Sequence, residues 1–333
     1  MTQMPTPPFI VVRDNLEHAP PATDALAGAV FAIGNFEGVH RGHRALIGAA
    51  CTRAHALGRP AAVLTFEPHP RSFFRPDEPV FRLTDEATKL RLFAAAGLNG
   101  AVIMSFNKAL AQLEAWEFVD RILVERYKVS GVVIGFDFHF GRGRVGSPEF
   151  LADEGRKRGF TVDIVAAVAD GDSRISSGAV RAALAAGRVE EATQLLGFPW
   201  FVTGVVVHGD KRGRELGYPT ANIRLDPACG LRHGIYAVRV GVGDKRYDGV
   251  ASFGRRPMFD TGAVLLEVFL FDFSGDLYGK TLDVAFVGWI RHELKFDTIE
   301  ELVRRMDEDT RLARAALGRA PDAFPPIGNW HGE

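Results

Sequence analysis

Residues 29–43 read Ala-Val-Phe-Ala-Ile-Gly-Asn-Phe-Glu-Gly-Val-His-Arg-Gly-His, an apolar run that enters a glycine-rich turn. The alanine-rich sequence that follows His43 has the pattern of a helix. A turn between a strand and a helix directs backbone N–H groups and the helix N-terminus toward its ligand, which favours phosphate. These residues therefore predict a buried strand, a phosphate-binding turn and a helix.

The alternation of apolar runs and helical patterns continues through the first half of the chain. Ala- and Leu-rich helical patterns separate four further predicted strands, Ala61–Phe66, Ala101–Met104, Gly131–Ile134 and Thr161–Ala166. Such alternation indicates an α/β fold with a doubly wound parallel sheet, helices on both faces and ligands at the carboxyl ends of the strands.

The second half of the chain has short strand patterns that follow one another directly. The predicted strands are Val202–His208, Ile235–Gly241, Lys245–Ser252, Leu265–Phe271 and Thr281–Val287. Two short helices, over about 176–186 and 189–196, precede them, and a helical pattern over about 298–317 follows. This order predicts a small closed antiparallel β-barrel with a C-terminal helix.

Length and charge limit the classes of protein to which the chain can belong. Its 333 residues favour two domains, 1–186 and 200–325, joined by a helical linker region over 187–199. A formal net charge of −1 argues against a nucleic-acid or membrane-surface binder, because both need a standing positive field. The sequence shows neither a signal-peptide pattern nor an apolar run of membrane-spanning length, so we expect a cytoplasmic protein.

A second glycine-rich segment lies at residues 208–222, which read His-Gly-Asp-Lys-Arg-Gly-Arg-Glu-Leu-Gly-Tyr-Pro-Thr-Ala-Asn. Its glycines let the backbone approach an anion, its basic side chains can neutralise that anion, and Thr220 offers a hydroxyl to a metal. The usual phosphate-loop pattern, Gly-x-x-x-x-Gly-Lys-Ser/Thr, is absent. Together with the first turn, this segment predicts two phosphate-handling sites and hence a two-step enzyme.

Polar segments at other strand ends and helix starts extend the first candidate site. Residues 65–70 and 135–143 each follow a predicted strand, and Ile175-Ser176-Ser177 opens a helix that carries Arg181. The His-x-Gly-His sequence at 40–43 is weak by itself, because two histidines near a helix start are more often ordinary polar residues. Four segments at such positions favour one crevice that collects them.

With these motifs, residues from about 33 to 196 resemble the adenylyltransferase domain of bacterial bifunctional riboflavin kinase/FAD synthetases. The resemblance implies that the FMN phosphate attacks the α-phosphorus of ATP and releases pyrophosphate, with His40 and His43 as the catalytic histidines that bind the ATP phosphates. The full set that it implies for ATP is Gly34, Phe36, His40, Gly42, His43, Ser176, Ser177 and Arg181. For the flavin it implies Pro68, Pro70 and Asp137.

Residues from about 200 to 309 resemble riboflavin kinase. The resemblance implies ATP binding by Gly204, Gly209, Lys211, Gly217, Thr220 and Asn222, with Thr220 and Asn222 also holding Mg²⁺. It implies flavin binding by Arg255 and Arg256, and riboflavin, FMN and ATP as substrates. Glu267 would be the general base for the flavin 5′-hydroxyl, although a Glu in a strand can equally be a solvent-facing residue. The oligomeric state is not predicted.

The chain departs from this family's pattern at four positions. Glu37 stands where Asp is usual and Gly178 where Thr follows the two serines; Ser252 and Met258 replace the commoner Asn and Thr. Two alternatives therefore accompany the bifunctional interpretation. One is a riboflavin kinase with a degraded adenylyltransferase domain, and the other is a non-catalytic sensor of flavins or nucleotides.

Overall fold

A computed structural model of the protein describes residues 8–18, 24–170, 173–209, 217–255 and 264–327. The chain divides into two compact units. Unit 1 comprises Met1–Val80, Thr84–Ile175 and Pro326–Glu333, and unit 2 comprises Phe81–Leu83 and Ser176–Pro325. Within the described ranges, no helix is both long and apolar enough to cross a membrane.

Unit 1 is built on a six-stranded sheet in which all neighbouring strands run parallel. The strands are β1 (Ile10–Asp14), β2 (Val30–Ile33), β3 (Ala61–Glu67), β4 (Gly100–Ser105), β5 (Gly131–Gly135) and β6 (Thr161–Val165), in the order β1-β4-β3-β2-β5-β6. Every residue of β2 is buried, as expected when both faces of a sheet are covered. The predicted parallel sheet is confirmed.

Capping residues mark the ends of several helices in unit 1. The helices are α1 (Arg41–Leu57), α2 (Pro70–Phe74), α3 (Glu86–Ala95), α4 (Lys108–Ala111), α5 (Ala115–Glu117), which continues as a π-helix over Phe118–Arg126, and α6 (Pro148–Arg158). The Ser147 side chain accepts the N–H of Phe150 at the start of α6, and Gly159 ends that helix in a left-handed conformation. A two-stranded pair, β7 (Ala169–Asp170) and β8 (Ser173–Arg174), completes the unit.

Unit 2 contains the predicted closed antiparallel barrel, preceded by α7 (Ser177–Ala185) and α8 (Val189–Leu196) and followed by α9 (Ile299–Arg319). Its strands are β9 (Phe201–Val207), β10 (Ala221–Leu225), β11 (Gly234–Val242), β12 (Lys245–Arg255), β13 (Val264–Leu270) and β14 (Thr281–Arg291), closed in the order β10-β13-β12-β11-β14-β9. The barrel and its terminal helix confirm the prediction for the second half.

Candidate active sites

The turn after β2 holds several residues in conformations that side chains rarely adopt. Phe36 has φ 51° and Val39 has φ 44°, and Gly38 between them has φ 75°. The N–H of Gly38 donates to the Thr84 hydroxyl at 3.1 Å, just before α3. Non-glycine residues with positive φ concentrate where the surrounding structure fixes a functional site. The predicted phosphate-binding turn is therefore rigidly built.

His40 and His43 lie together at the start of α1. His40 is the N-cap residue, and its Nδ1 accepts the backbone N–H of His43 at 3.3 Å. The two rings stack with their centroids 3.6 Å apart and their planes 17° from parallel. A Cβ at Gly42 would lie 3.2 Å from the His40 ring, so glycine there leaves room for the stack.

Both histidines have lowered pKa values. Burial, and then the charge of Arg174, lower the pKa of His40 to about 4. Burial, followed by His40 and Lys89, lowers the pKa of His43 well below its usual 6.5. At neutral pH both imidazoles are therefore uncharged and can each donate one hydrogen bond. Among the described residues, the buried Nδ1 of His43 has no hydrogen-bond partner.

The remaining residues of this turn surround the histidines. The Phe36 ring contacts the rings of His43, at a centroid distance of 5.2 Å, and Phe93, at 5.4 Å. A Cβ at Gly34 would lie 3.5 Å from the Phe36 ring. Glu37 is only 1% exposed. Its carboxylate is thus enclosed by the turn and does not face solvent.

The three residues predicted near the flavin follow β3 and β5. Pro68 is exposed, and Pro70 is the first residue of α2. Asp137 forms an ion pair with Arg174, and both side chains are about half exposed. The Arg174 guanidinium also lies 4.7 Å from the centroid of the Phe136 ring. Since Arg174 lowers the pKa of His40, it links the surroundings of Asp137 electrostatically to the histidines.

A buried ion pair in unit 1 was not predicted. The Lys89 ammonium, on α3, donates to Glu67 Oε1 at 2.5 Å, and the two side chains are 2% and 17% exposed. Glu67 ends β3, at the edge of the sheet where ligands are expected. In the sequence, Lys89 is one lysine within the helical pattern Thr-Lys-Leu-Arg-Leu-Phe. Nothing in that pattern distinguishes a buried lysine from one that faces solvent.

Ser176, Ser177 and Arg181 belong to unit 2, where Ser176 and Ser177 begin α7 and Arg181 lies one turn further along the helix. The Ser176 hydroxyl accepts the N–H of Ala179 at 3.1 Å and so caps the helix. Arg181 Nε donates to the carbonyl of Phe81 at 2.6 Å. Gly178 lies in the first turn of α7, so the threonine that is usual at this position in the family would place its hydroxyl at the start of a helix.

Two residues predicted for the kinase site, Asn222 and Glu267, meet on neighbouring barrel strands, and Ser252 lies beside them on a third. Asn222 on β10 is directly opposite Glu267 on β13, and Glu267 is directly opposite Ser252 on β12. Along β13, the alternate residues Val264, Leu266, Val268 and Leu270 are buried, and Glu267 lies on the opposite face. Because paired residues of antiparallel strands share a face, Asn222, Glu267 and Ser252 form one row outside the barrel core.

Asn222 is fixed by the beginning of the glycine-rich segment. A Cβ at Gly209 would lie 2.5 Å from the Asn222 Nδ2, so any other residue there would force the amide to move. The Asn222 Nδ2 also contacts the carbonyl of Thr220 at 3.4 Å, and its side chain is almost fully buried. The amide and hydroxyl oxygens of these two residues, beside a carboxylate, are the kind of donor that Mg²⁺ prefers. Within the described ranges, no three His, Cys, Asp or Glu residues form a metal-binding group.

The other predicted kinase residues have different positions. Gly204 lies within β9, where a Cβ would approach Ile223 to 2.3 Å, so close strand packing explains this glycine. Gly217 is exposed and has φ 81°. Arg255 ends β12. Lys211, Arg256 and Met258 lie outside the described residues.

Two family profiles match the chain, FAD synthetase over residues 22–179 and riboflavin kinase over residues 196–317. The chain is 42% identical over 297 residues to the bifunctional riboflavin kinase/FMN adenylyltransferase of Pseudomonas fluorescens, covering 89% of the chain and 94% of that protein. It is 39% identical over 305 residues to the protein of the same name in Escherichia coli K12, covering 91% and 96%.

A solved structure titled as a macrolide-efflux protein from Streptococcus pneumoniae also matches the fold. The TM-score is 0.80 at 32% sequence identity, and the match covers 91% of the chain and 99% of that structure. Similarity at this level over nearly the whole of both chains indicates that the two proteins share both units.

Proposed function

The chain belongs to the family of bifunctional riboflavin kinase/FMN adenylyltransferases, and from this premise we propose which of its residues carry each reaction. It is an enzyme that phosphorylates riboflavin to FMN and adenylylates FMN to FAD, so the prediction of a two-step enzyme is confirmed. Riboflavin, FMN and ATP are its substrates. We propose that it acts in the cytoplasm, because both reactions consume ATP.

We propose that the row of Asn222, Glu267 and Ser252 is the centre of the kinase site. The single observation that supports this most is the register of β10 and β13, which sets a buried amide directly beside a carboxylate. Glu267 accepts the proton of the riboflavin 5′-hydroxyl while the hydroxyl oxygen attacks the γ-phosphorus of ATP. The bond from that phosphorus to the β–γ bridging oxygen breaks, and ADP leaves.

We propose that Mg²⁺ would be held by Thr220 and Asn222 together with the ATP phosphates. Both residues present oxygen atoms, and an oxygen-rich, partly hydrated site is what this ion requires. When bound, the ion would neutralise charge on the transferring phosphoryl group. Gly209, Gly217 and Lys211 would form the loop over ATP, Gly204 would support that loop, and Arg255 and Arg256 would contact the flavin.

For adenylyl transfer, we propose that the turn at residues 34–43 binds ATP. His40 and His43 donate hydrogen bonds to the triphosphate. An oxygen of the FMN phosphate attacks the α-phosphorus, the bond to the α–β bridging oxygen breaks, and pyrophosphate leaves. No covalent intermediate is needed, so positioning and charge stabilisation carry the rate. Pro68, Pro70 and Asp137 would border the flavin.

A pair of variants tests this assignment in the full chain. Glu267→Gln keeps the size of the side chain but removes the proton acceptor, so kcat for FMN formation should fall by roughly 10²–10⁴-fold, while FAD formation from FMN persists. His43→Ala should lower FAD formation by about 10²–10³-fold and leave FMN formation intact. The control, Glu191→Gln on the exposed side of α8, should alter neither. If either site variant lost both activities, the division of roles would be wrong.

A further inference from the structure

The buried pair of Lys89 and Glu67 has no place in the assignment above. A lysine is almost never fully buried unless it is paired, because removing its charge from water costs several kcal/mol. Lys89 is nevertheless only 2% exposed, on a helix whose other buried residues are mostly apolar. Such a cost suggests a function for the charge at this place.

Two contacts fix α3 against the turn after β2. The Thr84 hydroxyl, just before α3, accepts the N–H of Gly38, and the Phe93 ring packs edge-on against the Phe36 ring at 5.4 Å. Lys89 is four residues before Phe93 and therefore lies on the same face of α3, one turn earlier. The helix thus presents the ammonium on the side from which Phe93 contacts the turn.

Glu67 holds the ammonium at the carboxyl end of the sheet. The carboxylate ends β3, which is paired with β2, the strand that leads into the turn. The ammonium is also close enough to His43 to act on its ionisation, since the charge of Lys89 is one cause of the lowered pKa of His43. The geometry and the electrostatics therefore place Lys89 beside the proposed phosphate-binding histidine.

We propose that Lys89 is a positioning residue of the adenylyltransferase site, whose ammonium, held by Glu67, acts through His43 where the triphosphate of ATP binds. This inference rests on the role proposed for His43. Burial is the main reason why the imidazole stays neutral and hence a directed hydrogen-bond donor; the fixed positive charge of Lys89 adds to this effect and attracts the anionic ligand at the same time. Two charged groups act on the histidine pair: the Lys89 ammonium on His43 and the Arg174 guanidinium on His40.

A double-mutant cycle in the full chain separates this role from a merely structural one. Lys89→Met removes the charge with little change in volume, and kcat/KM for ATP in FAD formation from FMN should fall by about 10- to 100-fold. In a His43→Asn background the same change should cost less than about threefold, because the residue through which Lys89 acts has gone. An equal loss in both backgrounds would overturn the proposal.

A second buried pair supplies the matched control. Arg126, at the end of the π-helix, and Asp14, at the end of the edge strand β1, are 8% and 1% exposed, with a contact of 2.5 Å. Arg126→Met also removes the cation from a buried carboxylate, so it should destabilise unit 1 comparably. Arg126→Met should change kcat/KM for ATP in FAD formation by the same factor in the native chain and in the His43→Asn background. A coupling to His43 like that of Lys89 would contradict the proposal.

A spectroscopic measurement covers the case in which Lys89→Met folds poorly or His43→Asn is too slow to assay. Lys89→Gln combined with Glu67→Gln replaces the ion pair by neutral amides of similar size. The His43 imidazole, followed by NMR titration in this variant, should have a higher pKa than in the unmodified protein. An unchanged pKa would overturn the proposal. Absence of FAD formation by the unmodified protein would instead contradict the function proposed for unit 1.

Discussion

The two histidines after β2 act as neutral groups. Burial and nearby positive charge keep both imidazoles unprotonated at neutral pH. A neutral imidazole still donates one N–H, so the pair can orient phosphate oxygens by hydrogen bonds. Positive charge at the same turn comes from the Lys89 ammonium and the Arg174 guanidinium. In the proposed site, different residues would thus supply orientation and charge.

This arrangement predicts a pH-dependent stability for unit 1. The pKa of His40 is about 4 in the folded protein, and an unfolded histidine titrates near 6.5, so the unfolded chain takes up a proton first as the pH falls. The contribution of His40 is complete above about pH 6.5 and is lost toward pH 4. Between pH 7 and pH 5, unit 1 should lose about 2 kcal/mol of unfolding free energy through this residue.

Hydrogen exchange of the β2 amides at the two pH values measures that loss. His40→Gln should reduce the difference in unfolding free energy between pH 7 and pH 5 by about 2 kcal/mol. His55→Gln, on the exposed side of the same helix, is the matched control and should leave the difference as it is in the unmodified protein. If the unfolding free energy of His40→Gln fell between pH 7 and pH 5 as much as that of the unmodified protein, His40 would not be a buried neutral group.

Among the elements, the register of the barrel strands brings together two residues of the proposed kinase site. β10 is a short strand between β9 and β13, and it is the element that brings Asn222 beside Glu267. Gly209 then covers the Asn222 amide, so the start of the glycine-rich segment and the strand after it hold each other in place.

Gly209→Ala tests this contact. The added Cβ would lie 2.5 Å from the Asn222 Nδ2, so the amide must move, and phosphoryl transfer is sensitive to displacements of that size. FMN formation should fall by about 10-fold or more, and FAD formation from FMN should persist. Gly318→Ala, in α9 where nothing lies within 4 Å of the new Cβ, is the matched control. Equal activity of the two variants would show that Asn222 is not held in this way.

The elements that the sequence did not predict have identifiable physical reasons. β10 begins directly after Tyr-Pro-Thr, and its first two residues are the last two of the glycine-rich segment, which hides the strand pattern. β1 is a five-residue edge strand with only two buried positions, too few for a clear apolar period. By contrast, β2, β3, β4 and β5 are nearly continuous apolar runs, which is why the parallel sheet could be predicted.

The candidate sites show the same limit at the level of side chains. His40, His43, Asn222 and Glu267 stand in recognisable local motifs, so the sequence indicates them. Lys89 and Glu67 are 22 residues apart and meet only because α3 packs on the sheet. Buried pairing of this kind is a tertiary property, and a single sequence carries no pattern for it.

At the scale of the whole molecule, unit 2 extends beyond the predicted kinase domain. It begins at Ser176 and includes α7 and α8, whereas the sequence predicted a kinase domain from residue 200 after a linker at 187–199. Val189 and Leu196 of α8 are fully buried, and the Trp200 Nε1 donates to the carbonyl of Leu83 at 2.9 Å. We propose that the functional kinase domain includes both helices.

Two fragments that differ only in these helices test the proposal. A fragment from Ser176 to the C-terminus should phosphorylate riboflavin and make no FAD from FMN. A fragment from Phe198 should have a lower Tm and less activity, because it loses the buried apolar side chains of α7 and α8. Equal stability of the two fragments would show that these helices are a linker. An inactive but folded Ser176 fragment would show that the kinase needs unit 1.

One chain performs both reactions, although Glu37 and Gly178 depart from the family's pattern. The most direct test is to incubate the purified protein with FMN, saturating ATP and Mg²⁺, and to separate the flavins with time. We predict that FAD appears with an equivalent amount of pyrophosphate, and that riboflavin supplied instead of FMN gives FMN first and FAD later. FAD formation no faster than in the control without enzyme would contradict the account and leave a riboflavin kinase alone; if FMN failed to form as well, only a flavin- or nucleotide-binding sensor would remain.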